Sequence, residues 1–262
     1  MQPKLFDSRA RAQRRDRAFR SGPVLFLHNR AFEDIIERLG DVRRSFSSAL
    51  LVGSPDPSWP DRLRKIVDKV TVVDPGGEFA RAAGGTQVEE AALDLHPGSF
   101  DLALAIGTLD TIDDLPGALL RLRFLLRSDS LLIGAISGGE TLQRLRQAMR
   151  AADVASGGAS PHVHPRIEPA ALAHLLSAAG FEGPVVDVER VRVSYRNLRK
   201  LVGDLRGMGA TNILSARSRN PLTRAALAAA ETDFESSAGQ SRTTELFEIL
   251  HFAGWTPETE QG

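Results

Sequence analysis

Short apolar runs alternate with helical patterns along most of the chain after residue 45. Five runs have the composition of buried strands and lie at Ser48–Gly53, Val70–Val73, Thr86–Glu89, Phe100–Ile106 and Ser130–Ile136. Leu115, Leu119, Leu122 and Leu126, between the last two runs, recur at helical spacing. Nearly continuous apolar strands that alternate with helices indicate a parallel sheet covered by helices on both faces.

The last third of the chain has a different order of elements. Two more strands are predicted at Val185–Tyr195 and Thr243–Ala253, with helices at Asn197–Gly207 and Leu222–Phe234 between them. We therefore predict an α/β fold with a Rossmann-like seven-stranded sheet, helices on both faces and an antiparallel edge. Residues 1–44 are predicted to be an N-terminal helical extension, residues 45–262 the main domain, and residues 196–240, approximately, a helical insertion before the last strand.

Two glycine- and proline-containing segments predict helix starts. Ser58 is predicted to cap a helix whose apolar side includes Leu63, Ile66 and Val67. Gly138-Gly139 is predicted to open a helix that continues to about Asp153.

The start of the chain is basic, with six arginines between Ser8 and Arg20. Asp7 and Asp16 argue against an organelle transit peptide, because such peptides avoid acidic residues. We expect this run to be the solvated face of a helix; the alternative is a docking arm for an acidic partner.

Composition removes several classes of function. The chain has 33 basic and 33 acidic residues, so no overall field attracts nucleic acid or an anionic membrane. It has no cysteine, which excludes disulfides, thiolate metal sites and a cysteine nucleophile. No apolar run approaches the ~18 residues of a membrane span, and no apolar stretch after Met1 predicts a secretory signal. One tyrosine and two tryptophans give little stacking surface for single-stranded nucleic acid.

In an open parallel sheet the ligand lies beyond the carboxyl ends of the strands. Asp74 ends the second predicted strand, where a carboxylate can accept hydrogen bonds from both hydroxyls of a ribose; the alternative is a turn-forming role in Asp-Pro-Gly-Gly. The loop after the first strand keeps a single glycine, Gly53, and Pro55 and Pro57 in it have no N–H to offer a ligand. We expect Asp74 to lie at an exposed strand end.

His162 and His164 offer two imidazoles, but the sequence identifies no third ligand of the kind that a catalytic metal needs. Pro161 and Pro165 flank them and favour an ordinary loop, so no metal site is predicted.

The order of these elements resembles that of the class I S-adenosylmethionine-dependent methyltransferases. More specifically, the chain resembles the mitochondrial and alphaproteobacterial methyltransferase-like assembly factors of respiratory complex I, relatives of the malonyl-carrier-protein methyltransferases. The most specific matching segments are Ile133–Leu142, with its Gly-Gly-Glu-Thr-Leu joint, and Asp204–Asn212, with Arg-Gly-Met-Gly. Further matches lie at Ser160–His162 and His174–Phe181, so the resemblance covers nearly the whole chain.

The resemblance implies S-adenosylmethionine as cofactor and assigns site residues by position. Asp74 matches the acid that binds the ribose, and Glu89 (or Glu90, one residue further) matches the acid that faces the adenine. Gly53 alone remains of the usual glycines. Where many relatives carry His-Trp this chain has Asp110-Thr111, and Asp110 is a candidate for orienting an arginine or another poorly nucleophilic group. Because glycines and two N–H donors are missing, we expect cofactor binding to be weak or lost.

Three functions follow from the resemblance. The first is S-adenosylmethionine-dependent modification of a protein substrate linked to complex I assembly. The second is a cofactor-poor relative that binds a complex I subunit as an assembly scaffold. The third is a carrier-protein or small-molecule methyltransferase. The expected partner is a protein rather than nucleic acid, and the expected location is the cytoplasm or the surface of the inner membrane; the sequence does not indicate an oligomeric state.

Overall fold

The computed structural model describes residues 4–236 and 242–258. Its centre is a seven-stranded sheet with the strand order β3-β2-β1-β4-β5-β7-β6. The strands are β1 (Phe46–Val52), β2 (Val67–Asp74), β3 (Thr86–Gln87), β4 (Phe100–Ile106), β5 (Leu126–Ser137), β6 (Glu182–Tyr195) and β7 (Thr243–Trp255). The first five pair in parallel, and β7 is antiparallel to both β5 and β6. The predicted fold class and antiparallel edge are thereby confirmed.

Helices cover both faces of this sheet. Their bounds are α1 (Ser8–Ser21), α2 (Phe26–Asp41), α3 (Trp59–Leu63), α4 (Gly77–Ala82), α5 (Leu115–Leu125), α6 (Gln143–Ser156), α7 (Pro169–Ala178), α8 (Leu198–Gly207) and α9 (Arg224–Ser236). Alternate residues of a strand point to opposite faces. Leu50 and Val52 of β1 therefore pack with α5 and α7, whereas Ala49 and Leu51 pack with α2 and α3.

A third apolar cluster joins α6, α8 and α9 to the antiparallel edge of the sheet. Leu201, Ala230 and Phe234 are fully buried in it beside Phe247 of β7. Helices α8 and α9 fall inside the predicted insertion, of which residues 237–241 lie outside the described part of the chain. None of the helices in the described part is long and apolar enough to span a membrane.

Three local predictions were wrong. Strand β3 has two residues instead of four, because only Thr86 and Gln87 pair with β2. Helix α3 begins after Ser58 as predicted, but the Ser58 side chain makes no capping hydrogen bond. The helix ends at Leu63; Ile66 is exposed, and Val67 begins β2 by pairing with Phe46.

The third concerns the Gly138-Gly139 joint, which does not open α6, since that helix begins at Gln143. The N–H of Gly138 instead donates to the carbonyl of Glu248 at 2.9 Å, so the chain continues along β7 beyond β5. Glu245 of β7 then accepts hydrogen bonds from the backbone N–H groups of Arg144 and Leu145. A carboxylate from a distant strand thus caps α6.

Helix α1 lies over the carboxyl ends of the central strands. The side chain of Asp7 caps it by accepting from the N–H of Ala10, and Asp16 accepts from the N–H of Glu78 at the start of α4. The buried residues of α1 are two alanines and two arginines: Ala10, Arg11, Arg15 and Ala18. Its inner face is therefore held largely by charge, and this face covers the edge where a ligand is expected.

Candidate functional site

The structure brings the predicted site residues to one edge of the sheet. Gly53 follows β1, Asp74 is the last residue of β2, Glu89 follows β3 and Asp110 lies in the turn after β4. Parallel strands of this kind bind ligands beyond their carboxyl ends. In this chain α1 lies across that position, and its arginines contact two of the predicted residues.

Asp74 is fully buried and its carboxylate is saturated with hydrogen bonds. Arg15 donates from Nε to Oδ1 at 2.8 Å and from Nη2 to Oδ2 at 2.5 Å. The backbone N–H of Ser54 donates to Oδ2 at 3.0 Å, and that of Gly76 donates to Oδ1 at 2.7 Å. A carboxylate has about four acceptor positions, so none remains for the hydroxyls of a ribose.

The expectation that Asp74 sits at an exposed strand end is wrong. Its exposed fraction is 0%, because α1 covers it and places Arg15 against it. The guanidinium of Arg15 also lies 5.3 Å from the centre of the Phe79 ring, on α4. Asp74 therefore belongs to the buried attachment of α1.

Arg11, one turn before Arg15, uses all five of its N–H donors. Nη1 and Nη2 each donate to Glu90 at 2.7 Å, and Nη1 also donates to Glu89 at 3.0 Å. The remaining two bonds go to the Thr108 carbonyl at 2.7 Å and the Thr111 hydroxyl at 3.0 Å. The arginine is 3% exposed, so this attachment is buried as well.

The two acids after β3 differ in burial. The side chain of Glu89 is 40% exposed, whereas that of Glu90 is 1% exposed and binds Arg11 with both oxygens. Burial raises the pKa of Glu89, and Arg11 opposes this without cancelling it. The predicted role of Glu89 at an adenine stays a prediction, and Glu90 is the acid that faces inward.

The arginine run is not a uniformly solvated face. Arg11 and Arg15 are buried, whereas Arg9, Arg17 and Arg20 are exposed. Residues four apart lie on the same side of a helix, and the spacing of Arg11 and Arg15 was the only local signal of a shared face. Their acidic partners lie 59 and 79 residues away, which no local pattern reveals.

The close approach of β4 and a positive φ angle both require glycine at position 53. Its φ is +85°, which favours glycine. A Cβ there would lie 2.5 Å from Cγ2 of Thr108 and 2.6 Å from the carbonyl oxygen of Ile106. The contacts that require this glycine are therefore within the protein.

A cavity of about 100 Å³ lies at the ends of β4 and β5, beneath α1 and α2. Its charged lining includes Asp110, Arg166 and Glu248. Asp110 and Arg166 form a buried ion pair between Oδ2 and Nη1. Burial alone would raise the pKa of Asp110, but the neighbouring cations, Arg166 foremost, outweigh it and the pKa lies below its ordinary value.

Two open positions remain around this ion pair. Within residues 4–236 and 242–258, Oδ1 of Asp110 receives no hydrogen bond from another residue, and the buried Nε of Arg166 has no acceptor. Glu248 is 2% exposed and holds only long contacts at its carboxylate, 3.4 Å to the Glu140 N–H and 3.4 Å to Arg190. Burial raises the pKa of Glu248. Sequence reasoning missed Glu248, because it lies in a strand close to the chain end and resembles an exposed edge residue.

Two histidines line the same cavity. Burial, followed by the charge of Arg15, lowers the pKa of His28 to about 4. Burial, followed by Arg166, lowers the pKa of His164 to about 4. Nε2 of His164 accepts from the N–H of Ile213 at 3.0 Å, and both rings are neutral near pH 7.

The two histidines of the His-Val-His segment lie in different surroundings. His162 lies outside the cavity and pairs with Asp153 at 2.8 Å, whereas His164 lines the cavity. Across the described ranges, no group of three or more histidine, aspartate or glutamate side chains is placed to hold a metal ion.

The residues present do not fit S-adenosylmethionine in this arrangement. The acceptors of Asp74 are taken by Arg15, and Glu90 is taken by Arg11. The remaining cavity of about 100 Å³ is well below the ~300–1,000 Å³ of pockets that bind drug-sized ligands. A nucleoside can enter only if the inner face of α1 moves away.

We predict that the Arg15–Asp74 pair stabilises the fold as a unit. Asp74→Ala leaves a buried guanidinium without its partner and should lower the free energy of unfolding by about 3–5 kcal/mol. Urea unfolding of Asp74→Ala, Arg15→Met and the double variant should give a loss in the double variant that is smaller than the sum, with a coupling of about 1–3 kcal/mol. Additive losses would show that the two side chains act independently.

We also predict that His164 makes the protein sensitive to mild acid. In the unfolded chain this histidine binds a proton near pH 6.5, whereas in the folded chain it does so only near pH 4. Stability should therefore fall as the pH drops through this window, by up to about 3 kcal/mol from this residue. His164→Gln keeps an acceptor for Ile213 and should flatten the dependence of unfolding free energy on pH. The exposed His96→Gln is the control; equal slopes in both variants would contradict the prediction.

Relatives of this chain carry two different named activities. A family profile described as "Methyltransferase domain" matches residues 26–186. The mitochondrial "Arginine-hydroxylase NDUFAF5" of Danio rerio is 31% identical over 90% of this chain and 77% of its own length. The "Malonyl-[acyl-carrier protein] O-methyltransferase" of Laribacter hongkongensis is 30% identical over 80% of this chain and 65% of its own length.

Solved structures support the fold. The YcgJ protein of Bacillus subtilis superposes with a TM-score of 0.61 at 11% identity, over 88% of this chain and all of that one. Other proteins of this fold have been solved with bound S-adenosylhomocysteine. The chain therefore belongs to the class I S-adenosylmethionine-dependent methyltransferase family, and within it resembles the NDUFAF5 arginine-hydroxylases.

Proposed function

We propose that this chain acts in the assembly of respiratory complex I, on an arginine side chain of a protein partner. Relatives that match 88% to 96% of its length are named arginine-hydroxylases, and the resemblance to complex I assembly factors extends over nearly the whole chain. The proposed place of action is the cytoplasm or the surface of the inner membrane, where complex I subunits assemble.

The observation that carries this proposal is the Asp110–Arg166 ion pair inside the cavity. This ion pair supports the view that the cavity suits a guanidinium. Asp110 already binds the guanidinium of Arg166 there, and both side chains are at least nine-tenths buried. Within the described part of the chain Arg166 is the one other residue that donates to the Asp110 carboxylate, and Glu248 lines the same cavity with a carboxylate that makes only long contacts. Two carboxylates can bind the planar fork of a guanidinium more specifically than they bind a point charge.

The chain's own residues have separable roles in this proposal. Asp110 and Glu248 bind and orient the arginine of the partner. Neutral His28 and His164 add imidazole nitrogens to the lining at a small electrostatic cost, because neither carries a charge near pH 7. Apolar side chains keep water away from these carboxylates, which strengthens their attraction for a cation; they are Leu205, Met208 and Phe247.

S-adenosylmethionine, when bound, would supply a methyl group. Arg15 binds the carboxylate of Asp74, which would otherwise hold the ribose of the cofactor. With α1 in this position, the structure supports no methyl transfer. The relatives are named as arginine-hydroxylases, and hydroxylation places an oxygen atom on arginine instead. The two chemistries leave different masses on the same residue.

A second candidate is a scaffold that binds a complex I subunit without using a cofactor. The saturated carboxylate of Asp74 favours it, because a scaffold does not require Arg15 to leave. Both candidates share the protein partner and differ in whether the cofactor binds.

We predict that removing Arg15 strengthens cofactor binding. Arg15→Ala frees two acceptor positions on Asp74, so the affinity for S-adenosylmethionine should rise at least tenfold, as measured by isothermal titration calorimetry. Arg9→Ala, an exposed arginine of the same helix, is the matched control and should leave the affinity of the natural chain unchanged. Absence of binding in a folded Arg15→Ala protein would favour the scaffold.

Deletion of the chromosomal copy should abolish assembled complex I and its NADH:quinone activity. Copies carrying Asp110→Asn or Glu248→Gln should fail to restore it, whereas a copy carrying Asp68→Asn, an exposed acid on β2, should restore it. Mass spectrometry of complex I subunits from both strains then separates the candidates. An arginine that carries a methyl group or an oxygen atom only in the complemented strain supports modification, and identical masses support the scaffold. Normal complex I in the deletion strain would overturn both and favour a carrier-protein or small-molecule methyltransferase.

A further inference from the structure

A second concave surface lies on the outer side of α1. It is formed by α1, α8 and the segment 211–219, and we call it the arginine groove; its basic lining residues are Arg14, Arg17, Arg206, Arg217 and Arg219. Its volume is about 510 Å³. No acidic residue lines it within the described part of the chain.

The positive charge of the arginine groove is largely uncompensated. Arg217 and Arg219 share a single carboxylate, that of Asp7, at 2.9 Å and 3.9 Å. Arg14, Arg17 and Arg206 form no ion pair with any residue in the ranges 4–236 and 242–258. The whole chain is neutral, so this concentration of charge is a local feature rather than a consequence of composition.

The crowding of positive charge in the groove destabilises the charged form of Arg14. Its Nε is buried and has no acceptor among the described residues. Burial, followed by repulsion from Arg17, Arg217 and Arg206, lowers the pKa of Arg14. Like charges this close destabilise one another, so an anion placed among them relieves repulsion as well as adding ion pairs.

The walls of the arginine groove are held in place before any ligand binds. Asn212 donates from Nδ2 to the carbonyl of Pro161 at 2.7 Å and accepts from the N–H of Leu214 at 3.0 Å. The N–H of Ser218 donates to the hydroxyl of Ser160 at 3.0 Å. A preorganised site loses less conformational entropy on binding.

We propose that the arginine groove binds an acidic segment of the partner protein, rich in aspartate and glutamate. Five guanidiniums on three elements match several carboxylates along an extended chain better than one small ion. Arg17 and Arg206, which form no ion pair within the described residues, can each bind a carboxylate with two parallel hydrogen bonds. Among the described residues, no aromatic side chain on which a base could stack lines the groove, which argues against single-stranded nucleic acid. This inference rests on the proposed function, since it assigns the groove to the same protein partner.

The first test measures binding of a fluorescent peptide of alternating aspartate and serine to the full chain by anisotropy. The variant carries Arg14→Gln, Arg17→Gln and Arg206→Gln, none of which has an ion pair to lose within the described residues. The control carries Arg43→Gln, Arg150→Gln and Arg192→Gln, which removes the same charge from other surfaces. We expect at least tenfold weaker binding for the groove variant, a change within twofold for the control, and a weaker dependence on salt in the groove variant alone.

Several outcomes of this test would overturn the inference. Equal weakening in both triple variants would show a nonspecific charge effect. Binding of anionic phosphatidylglycerol vesicles, but not of the peptide, would assign the groove to a membrane. Saturation of the groove by millimolar inorganic phosphate with no peptide binding would assign it to a small anion. Thermal unfolding checks the fold, and we expect the groove variant to melt no lower than the natural chain, because the substitutions remove repulsion.

The second test separates this inference from the proposed function. In the deletion strain, a copy with the groove substitutions should restore less than half of the complex I activity restored by the control triple variant. Full restoration by the groove copy, when Asp110→Asn fails, overturns the groove's role while the proposed function stands. Normal complex I in the deletion strain itself overturns the proposed function, and peptide binding then decides the groove alone.

Discussion

The buried pair of Arg15 and Asp74 fixes the position of α1, and much of the rest of the site depends on it. A carboxylate at the end of β2 is fully buried and needs partners for both oxygens. Two come from the backbone of Ser54 and Gly76, and two come from Arg15. The other buried residues of α1 are Arg11 and two alanines, and its apolar contacts include Ala10 beside Ile213 and Leu214 and Phe19 packed edge-on against Phe79. The buried ion pairs of Arg11 and Arg15 therefore contribute strongly to where α1 lies and to what can reach the strand ends.

The sheet could be predicted from the sequence, because most strands coincide with a local run of apolar residues. Leu50 to Val52 and Leu102 to Ile106 are buried on both faces, and the alternation in Val185–Tyr195 marks a strand that partly faces water. The errors arose where local and distant effects conflict. Val67 continues an apparent helical pattern but pairs with β1. Gly138 lies beside β7 instead of starting a helix, because its N–H donates to the carbonyl of Glu248.

The site could be predicted only in part. The positions of Gly53, Asp74 and Asp110 at the carboxyl ends follow from the strand order. Their partners do not, because a salt bridge between residues tens of positions apart leaves no periodic trace. An arginine run with the same composition can lie in water or in the protein, and the choice depends on carboxylates that the fold brings beneath it. Membership of the family does not determine the reaction either, since relatives of similar identity are named hydroxylase and methyltransferase.

Arg15 is part of the same chain as the Asp74 carboxylate that it binds, so toward any ligand of that carboxylate it would be a competitor whose local concentration never changes. Dilution, dialysis and exhaustive washing remove a soluble inhibitor but leave a tethered one in place. Each ~1.4 kcal/mol needed to open the pair lowers the apparent affinity of a nucleoside about tenfold, whatever its intrinsic affinity. For any ligand that needs the carboxylate of Asp74, occupancy would therefore depend on ligand concentration against this internal competitor, which purification does not remove.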